Sequence, residues 1–238
     1  MNQNKLFGTI GIAGAALLLA GIVIAIVTFE NGAFSPLNGF YSELGQYPGS
    51  YLGASSALIF NISMALFGLA FCFFAVYWGI RQNSWAFGAA GFFGILTGVL
   101  AIAQAIFSLD YARYHYIAVA AFSAAAFLFS AVYIVASLVT GRHDNIAAVL
   151  VAFFAAICNA VFAGYVITGG MTQVFVEDAS QVGRLSFMPF AIIGWLALLL
   201  AMSLLILLSV ELIHNRQMTR MANLADKIRH NNSREIEF

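Results

Sequence analysis

Residues 6–28 read LFGTIGIAGAALLLAGIVIAIVT, an aliphatic run without a charged side chain, relieved only by alanine, glycine, threonine and one phenylalanine. A helix rises about 1.5 Å per residue, so a run of this length crosses a hydrocarbon layer about 30 Å thick. The run is too long for the apolar centre of an ordinary signal peptide and reads as a retained transmembrane helix, with Ala33 keeping a cleaved signal as the alternative. Five more apolar runs follow, at about 52–79, 85–107, 116–140, 146–168 and 185–213. The last would be roughly 43 Å long as a helix and must tilt or project.

The composition fits that pattern. The chain is 62% apolar and 8% charged, whereas a soluble domain carries about 25% charged residues. So few charges cannot cover a water-facing surface. The expected fold is therefore all-α: a polytopic membrane protein with a compact six-transmembrane-helix bundle over 1–213 and a tail over 214–238. No phosphate loop or dinucleotide fingerprint is present, and nucleic acid is not expected as a partner. Cys72 and Cys158 fall inside the spans and read as small buried residues.

Lysine and arginine set the expected orientation. With the amino terminus inside, Lys5, Arg81, Arg142, Arg216, Arg220, Lys227, Arg229 and Arg234 are cytoplasmic, and only Arg113 and Arg184 are outside. Both termini are thus expected on the cytoplasmic face of the cell membrane. In the tail, Met218, Met221, Leu224 and Ile228 recur at spacings of three and four among basic residues. That pattern predicts a basic amphipathic helix suited to anionic headgroups, or a solvated continuation of the sixth helix.

Helices in lipid associate where small side chains let backbones approach. Ala148, Ala152, Ala156, Ala160 and Gly164 form a ladder at intervals of four, and Gly91, Gly94, Gly98, Ala121, Ala124 and Ala125 add to it. The third, fourth and fifth helices are therefore expected at the centre, with Phe71, Phe73 and Phe74 facing lipid or filling grooves. Such faces are also the surfaces through which partner membrane helices would dock.

Polar side chains at membrane depth are costly and mark interiors or sites. Asn61 and Asn159 lie roughly 12–14 Å below the outer boundary. Gln104, Ser108 and Ser123 are nearby in depth, and Glu43, Asp110, His115, Glu177, Asp178 and Arg184 stand around the outer rim. The inner half has almost none. This asymmetry predicts a polar pocket opening outward under a lid formed by the first loop, 31–51, which contains FSPLNGFYSELG at 34–45.

Asp110 and His115, within LDYARYH, could work as a pair, the carboxylate orienting the imidazole and raising its basicity for general base work. Their other reading is membership of an interfacial belt with Tyr111, Tyr114 and Tyr116. Ser42 and Ser108 lack a nucleophile elbow. A metal held by His115, Asp110, Glu43 and Glu177 lacks the usual ligand spacing, so no metal or cofactor is expected.

Ser35-Pro36-Leu37 followed by Ser42-Glu43-Leu44-Gly45, then Asn61, and then Asp110 with His115 and Phe122 make a combination. It resembles an uncharacterised prokaryotic domain-of-unknown-function membrane family, distantly similar to the damage-regulated autophagy modulator (DRAM)-like lipid-remodelling membrane proteins. The resemblance implies a compact bundle with an acidic loop and a histidine on the outer face, and lipid handling. Similar proteins have a Glu-Arg pair before the last helix; this chain has Gly183-Arg184, so only Arg184 carries over.

The functional expectation is an outward-facing polar pocket that binds or remodels a lipid or lipid-like headgroup. Glu43, Asp110 and His115 take the catalytic positions, and Asn61, Gln104, Asn159 and Arg184 the ligand-binding ones. The alternative is a non-catalytic structural or accessory subunit that docks through its small-residue helix faces.

Overall fold

The computed structural model describes residues 3–29, 34–46, 54–141, 145–171 and 187–235, the last segment with side chains to His214. Six long helices make up the bundle: α1 (Gln3–Thr28), α2 (Ala54–Arg81), α3 (Trp85–Ile106), α4 (Ala112–Thr140), α5 (Ile146–Ile167) and α6 (Pro189–Glu235). All six contain a segment long and apolar enough to cross a membrane, and no strand occurs among the described residues. The protein is an integral, multi-pass, all-α membrane protein. Helix α4 begins four residues before the expected 116, which brings His115 into its first turn. Helix α6 runs past the expected end at Ile213 to Glu235.

Each helix packs chiefly on its neighbours in sequence, and α1 closes the ring on α6. Glycines set how closely the backbones approach. On α1, a Cβ at Gly11 would meet Ser209 Oγ of α6, and one at Gly14 would meet Ala70 of α2 at 2.3 Å. Between α2 and α3, Gly79 faces Gly91, and Gly98 lies against Gly68 and Cys72. Lipid offers apolar surface no advantage over protein, so this close contact is what holds the ring together.

The third to fifth helices are therefore no more central than the others. The centre of the ring is aromatic: Phe67, Phe71, Phe74, Trp78 and Phe122 are all buried. Phe71 meets Phe129 edge-on at 5.4 Å, linking α2 to α4 through the interior. Of the three phenylalanines assigned to lipid or grooves, only Phe73 is exposed.

The alanine ladder of α5 divides in the same way. Ala148, Ala152 and Ala156 are buried within the bundle, whereas Ala160 and Gly164 are exposed. At its start, Asn145 Oδ1 caps α5 by accepting from Ala148 N at 3.0 Å. The same side chain donates to Glu211 Oε2 at 3.0 Å, tying α5 to α6.

The two ends of the ring differ. At one end α1 begins beside the latter part of α6, where Asn4 Nδ2 donates to the Leu212 carbonyl at 3.3 Å. At the other end the segment 34–46 turns inward and fills the ring as a plug. Phe40, Tyr41, Ser42, Glu43, Leu44 and Gly45 are all buried. The expected lid is in fact part of the core.

Candidate functional site

The plug is built around the 3-10 turn Tyr41–Gly45. Glu43 closes it from within, its Oε1 accepting from Phe40 N at 2.8 Å. A carboxylate can be buried when a backbone N–H satisfies it in this way. Glu43 therefore shapes the plug from inside it.

Four helices hold the plug. From α2, Asn61 Nδ2 donates to the Gly45 carbonyl at 3.0 Å. That approach is close enough that a Cβ on Gly45 would lie 2.4 Å from Asn61 Oδ1. From α3, Gln104 Oε1 accepts from the Tyr41 hydroxyl at 3.1 Å. Helix α5 contributes Phe162, whose ring lies 6.2 Å from Phe40 and 6.3 Å from Tyr41. From α6, Trp195 Nε1 donates to the Gly39 carbonyl at 2.9 Å, and just before that helix Met188 N donates to the Leu37 carbonyl at 2.9 Å.

Asn61 and Gln104 thus converge on one segment. Asn159 does not bond to the plug. It lies one turn from Phe162, with Nδ2 shared between the Ala155 and Ala197 carbonyls at 2.9 and 3.4 Å, and it joins α5 to α6. Arg184 lies outside the described residues, as do Glu177 and Asp178.

The α3–α4 corner abuts the plug, and the 3-10 turn Leu109–Tyr111 touches the turn Tyr41–Gly45. Here Ser108 Oγ donates to Asp110 Oδ2 at 2.7 Å. His115 is buried, and its Nδ1 lies 2.6 Å from the Phe107 carbonyl oxygen. A carbonyl can only accept, so Nδ1 carries the proton and the neutral ring presents its lone pair at Nε2. The group that orients the imidazole is therefore the Phe107 backbone, a role the sequence reading assigned to Asp110. Asp110 itself is exposed.

Three buried polar atoms, one each on the plug, α3 and α4, lack a hydrogen-bond partner: Ser42 Oγ, Gln104 Nε2 and His115 Nε2, as do Ser123 Oγ farther along α4 and Asn159 Oδ1 on α5. Each such atom costs about 1–3 kcal/mol. Together the first three supply a hydroxyl, an amide donor and a basic nitrogen. Among the described residues, no three His, Cys, Asp or Glu side chains gather as a metal would require.

Trp195 is the anchoring residue that the sequence reading passed over. Inside an apolar run a tryptophan reads as core, and only the need of its indole N–H for an acceptor hints at more. Compared with family models, curated proteins and solved structures, the chain matches none of them.

Proposed function

We propose that this protein binds or remodels a lipid or lipid-like headgroup at the place where the plug, the end of α3 and the start of α4 meet. The observation that carries this reading is His115. A buried imidazole with Nδ1 committed to a backbone carbonyl and Nε2 unpartnered holds a lone pair in reserve for a donor. Gln104 Nε2 and Ser42 Oγ, on α3 and on the plug, add unpartnered polar groups of complementary chemistry. Asn61 and Gln104 hold the plug that shapes the site. In the catalytic form of the proposal, His115 Nε2 is the general base, Asp110 stands at the rim, and Arg184 meets a phosphate. The proposed placement is the cell membrane with both termini cytoplasmic, for which the distribution of lysine and arginine is the support. The resemblance to DRAM-like proteins points in the same direction.

The test is lipid retention by the purified full chain, read by native mass spectrometry. His115→Ala is expected to lower co-purifying lipid by up to about tenfold, the upper end of the effect of losing one hydrogen bond, in protein that remains folded but melts somewhat earlier for want of the Phe107 bond. Undiminished retention overturns the reading.

A second reading, docking to a partner membrane helix, is favoured by one observation. Ala160 and Gly164 remain exposed on α5, and Gly164 has nothing within 4 Å of where a Cβ would be. Ala160→Leu with Gly164→Leu would then break a complex while leaving lipid retention intact.

A further inference from the structure

Helix α6 outruns the helices beside it. Asn4, in the first turn of α1, bonds to Leu212, and Asn145, at the start of α5, bonds to Glu211, so both neighbours end at this level of α6. It nevertheless continues as one helix to Glu235. At about 1.5 Å per residue the stretch 213–235 projects roughly 35 Å beyond them.

At about 100° of turn per residue, Met218, Met221, Leu224, Ala225 and Ile228 share one face of this stretch. Arg216, Arg220, Lys227 and Arg234 fall within about 40° of one another on the same count and make a cationic column along one edge of that face. Asp226 is the only acid between His214 and Glu235, and it falls outside the column.

Anionic headgroups do not account for such a column. Arg234 stands roughly 27 Å along the helix from Arg216, whereas headgroups add only about 5–8 Å to each side of the hydrocarbon. A second copy does not account for it either. With Met221 and Ile228 in the seam, antiparallel pairing sets the two columns against each other. Parallel pairing sets Arg220 and Lys227 across from Ala225 and Asn232, which carry no charge.

We propose that the projecting part of α6 docks an acidic amphipathic helix of a partner protein. The partner's apolar face covers the stripe through Met221, and its carboxylates pair with the column of Arg216, Arg220, Lys227 and Arg234. The stripe supplies the area, and the column decides which helix is accepted, because a basic helix meets repulsion along its whole length. This surface lies apart from the plug and is independent of the lipid-binding reading.

The experiment uses the full chain in nanodiscs of dioleoylphosphatidylcholine and a fluorescein-labelled peptide of three heptads, with leucine at a and d and glutamate at e and g. Binding is read by fluorescence anisotropy, with a peptide carrying lysine at e and g as the comparison. The wild type is expected to bind the acidic peptide at least about tenfold more tightly than the basic one. Arg220→Gln with Lys227→Gln and Arg234→Gln is expected to lower that affinity by about fivefold, the scale of three exposed ion pairs. Met221→Gln with Ile228→Gln is expected to lower it by about tenfold or more, since it removes two large apolar side chains from the contact. Glutamine is a good helix former, so both variants keep the helix. Equal affinity for the two peptides overturns the inference, and so does a triple variant that binds as the wild type does.

Two further arms test the other occupants. At physiological ionic strength, where surface fields fade within about 8 Å, replacing half of the lipid with dioleoylphosphatidylglycerol is expected to leave peptide affinity within about twofold. A loss of more than about tenfold assigns the column to headgroups and overturns the inference. A peptide-free dimer in native mass spectrometry that Met221→Gln with Ile228→Gln dissolves assigns the face to a second copy and overturns it too.

Discussion

The Tyr41 hydroxyl donates to Gln104 Oε1 at 3.1 Å, joining two residues 63 positions apart inside the bundle. Through this bond the first connecting segment becomes part of the core, bound to α3 from within the ring. Burial raises the Tyr41 phenol above its ordinary pKa. The folded state therefore keeps the Tyr41 proton at a pH where the unfolded chain, with a phenol near 10, begins to lose it. Stability is fully present below about pH 10 and falls as pH rises further. Tyr41→Phe is expected to remove this part of the alkaline loss, read as melting temperature against pH from 8 to 11.

Asn61→Ala would leave the buried Gly45 carbonyl without the donor it now has at 3.0 Å. The expected cost is about 1–3 kcal/mol, as for a buried polar group deprived of its partner. Gly45→Ala attacks the same contact from the other side, since its Cβ would fall 2.4 Å from Asn61 Oδ1. Both variants are expected to melt earlier than wild type in thermal unfolding, and an unchanged profile for both would show that α2 does not anchor the plug.

Two glycines make opposite predictions. A Cβ at Gly98 would lie 2.5 Å from the Gly68 carbonyl oxygen, a backbone atom that cannot step aside. Gly98→Ala should therefore force α2 and α3 apart and cost about 1–3 kcal/mol. Gly164 has open space where its Cβ would go. Gly164→Ala should be neutral or stabilising by up to about 1 kcal/mol, because alanine is the better helix former. Thermal unfolding of the pair in one detergent checks both.

Asn145 serves two helices, capping α5 and donating to Glu211 on α6. Asn145→Ala removes both bonds and is expected to cost about 1–2 kcal/mol. Asn145→Asp keeps the cap but sets a carboxylate against Glu211, so it is expected to be no better than alanine at neutral pH and to recover on acidification. Melting temperature measured at pH 7 and pH 5 distinguishes the two.

The number and approximate bounds of the helices were legible in the sequence, because crossing a bilayer demands long apolar runs and the chain has six of them. The small residues along α3 and α5 were legible as packing surfaces for the same kind of reason. Which of them met inside was not. Side chains three and four positions apart share a face, but only the arrangement of neighbours decides that Ala148, Ala152 and Ala156 turn inward while Ala160 and Gly164 turn outward.

The polar residues of the candidate site could be enumerated from their rarity, yet their partners could not be read along the chain. Asn61, Gln104 and Trp195 each bond to a residue of the 34–46 segment that is distant in sequence. A loop rich in glycine, serine and asparagine reads as a lid when only its composition is known. It became a plug because closure of α1 on α6 completes a ring whose end must be filled, and Phe40, Tyr41 and Leu44 fill it. The sequence by itself determined a six-span membrane protein and singled out its few polar side chains, but it expected them at one end, whereas Asn4, Asn145, Ser137 and Ser209 place buried or bonded polar groups at the other end as well. Only tertiary structure decided what those side chains hold, because hydrogen-bond partners in a bundle are set by which helices stand side by side.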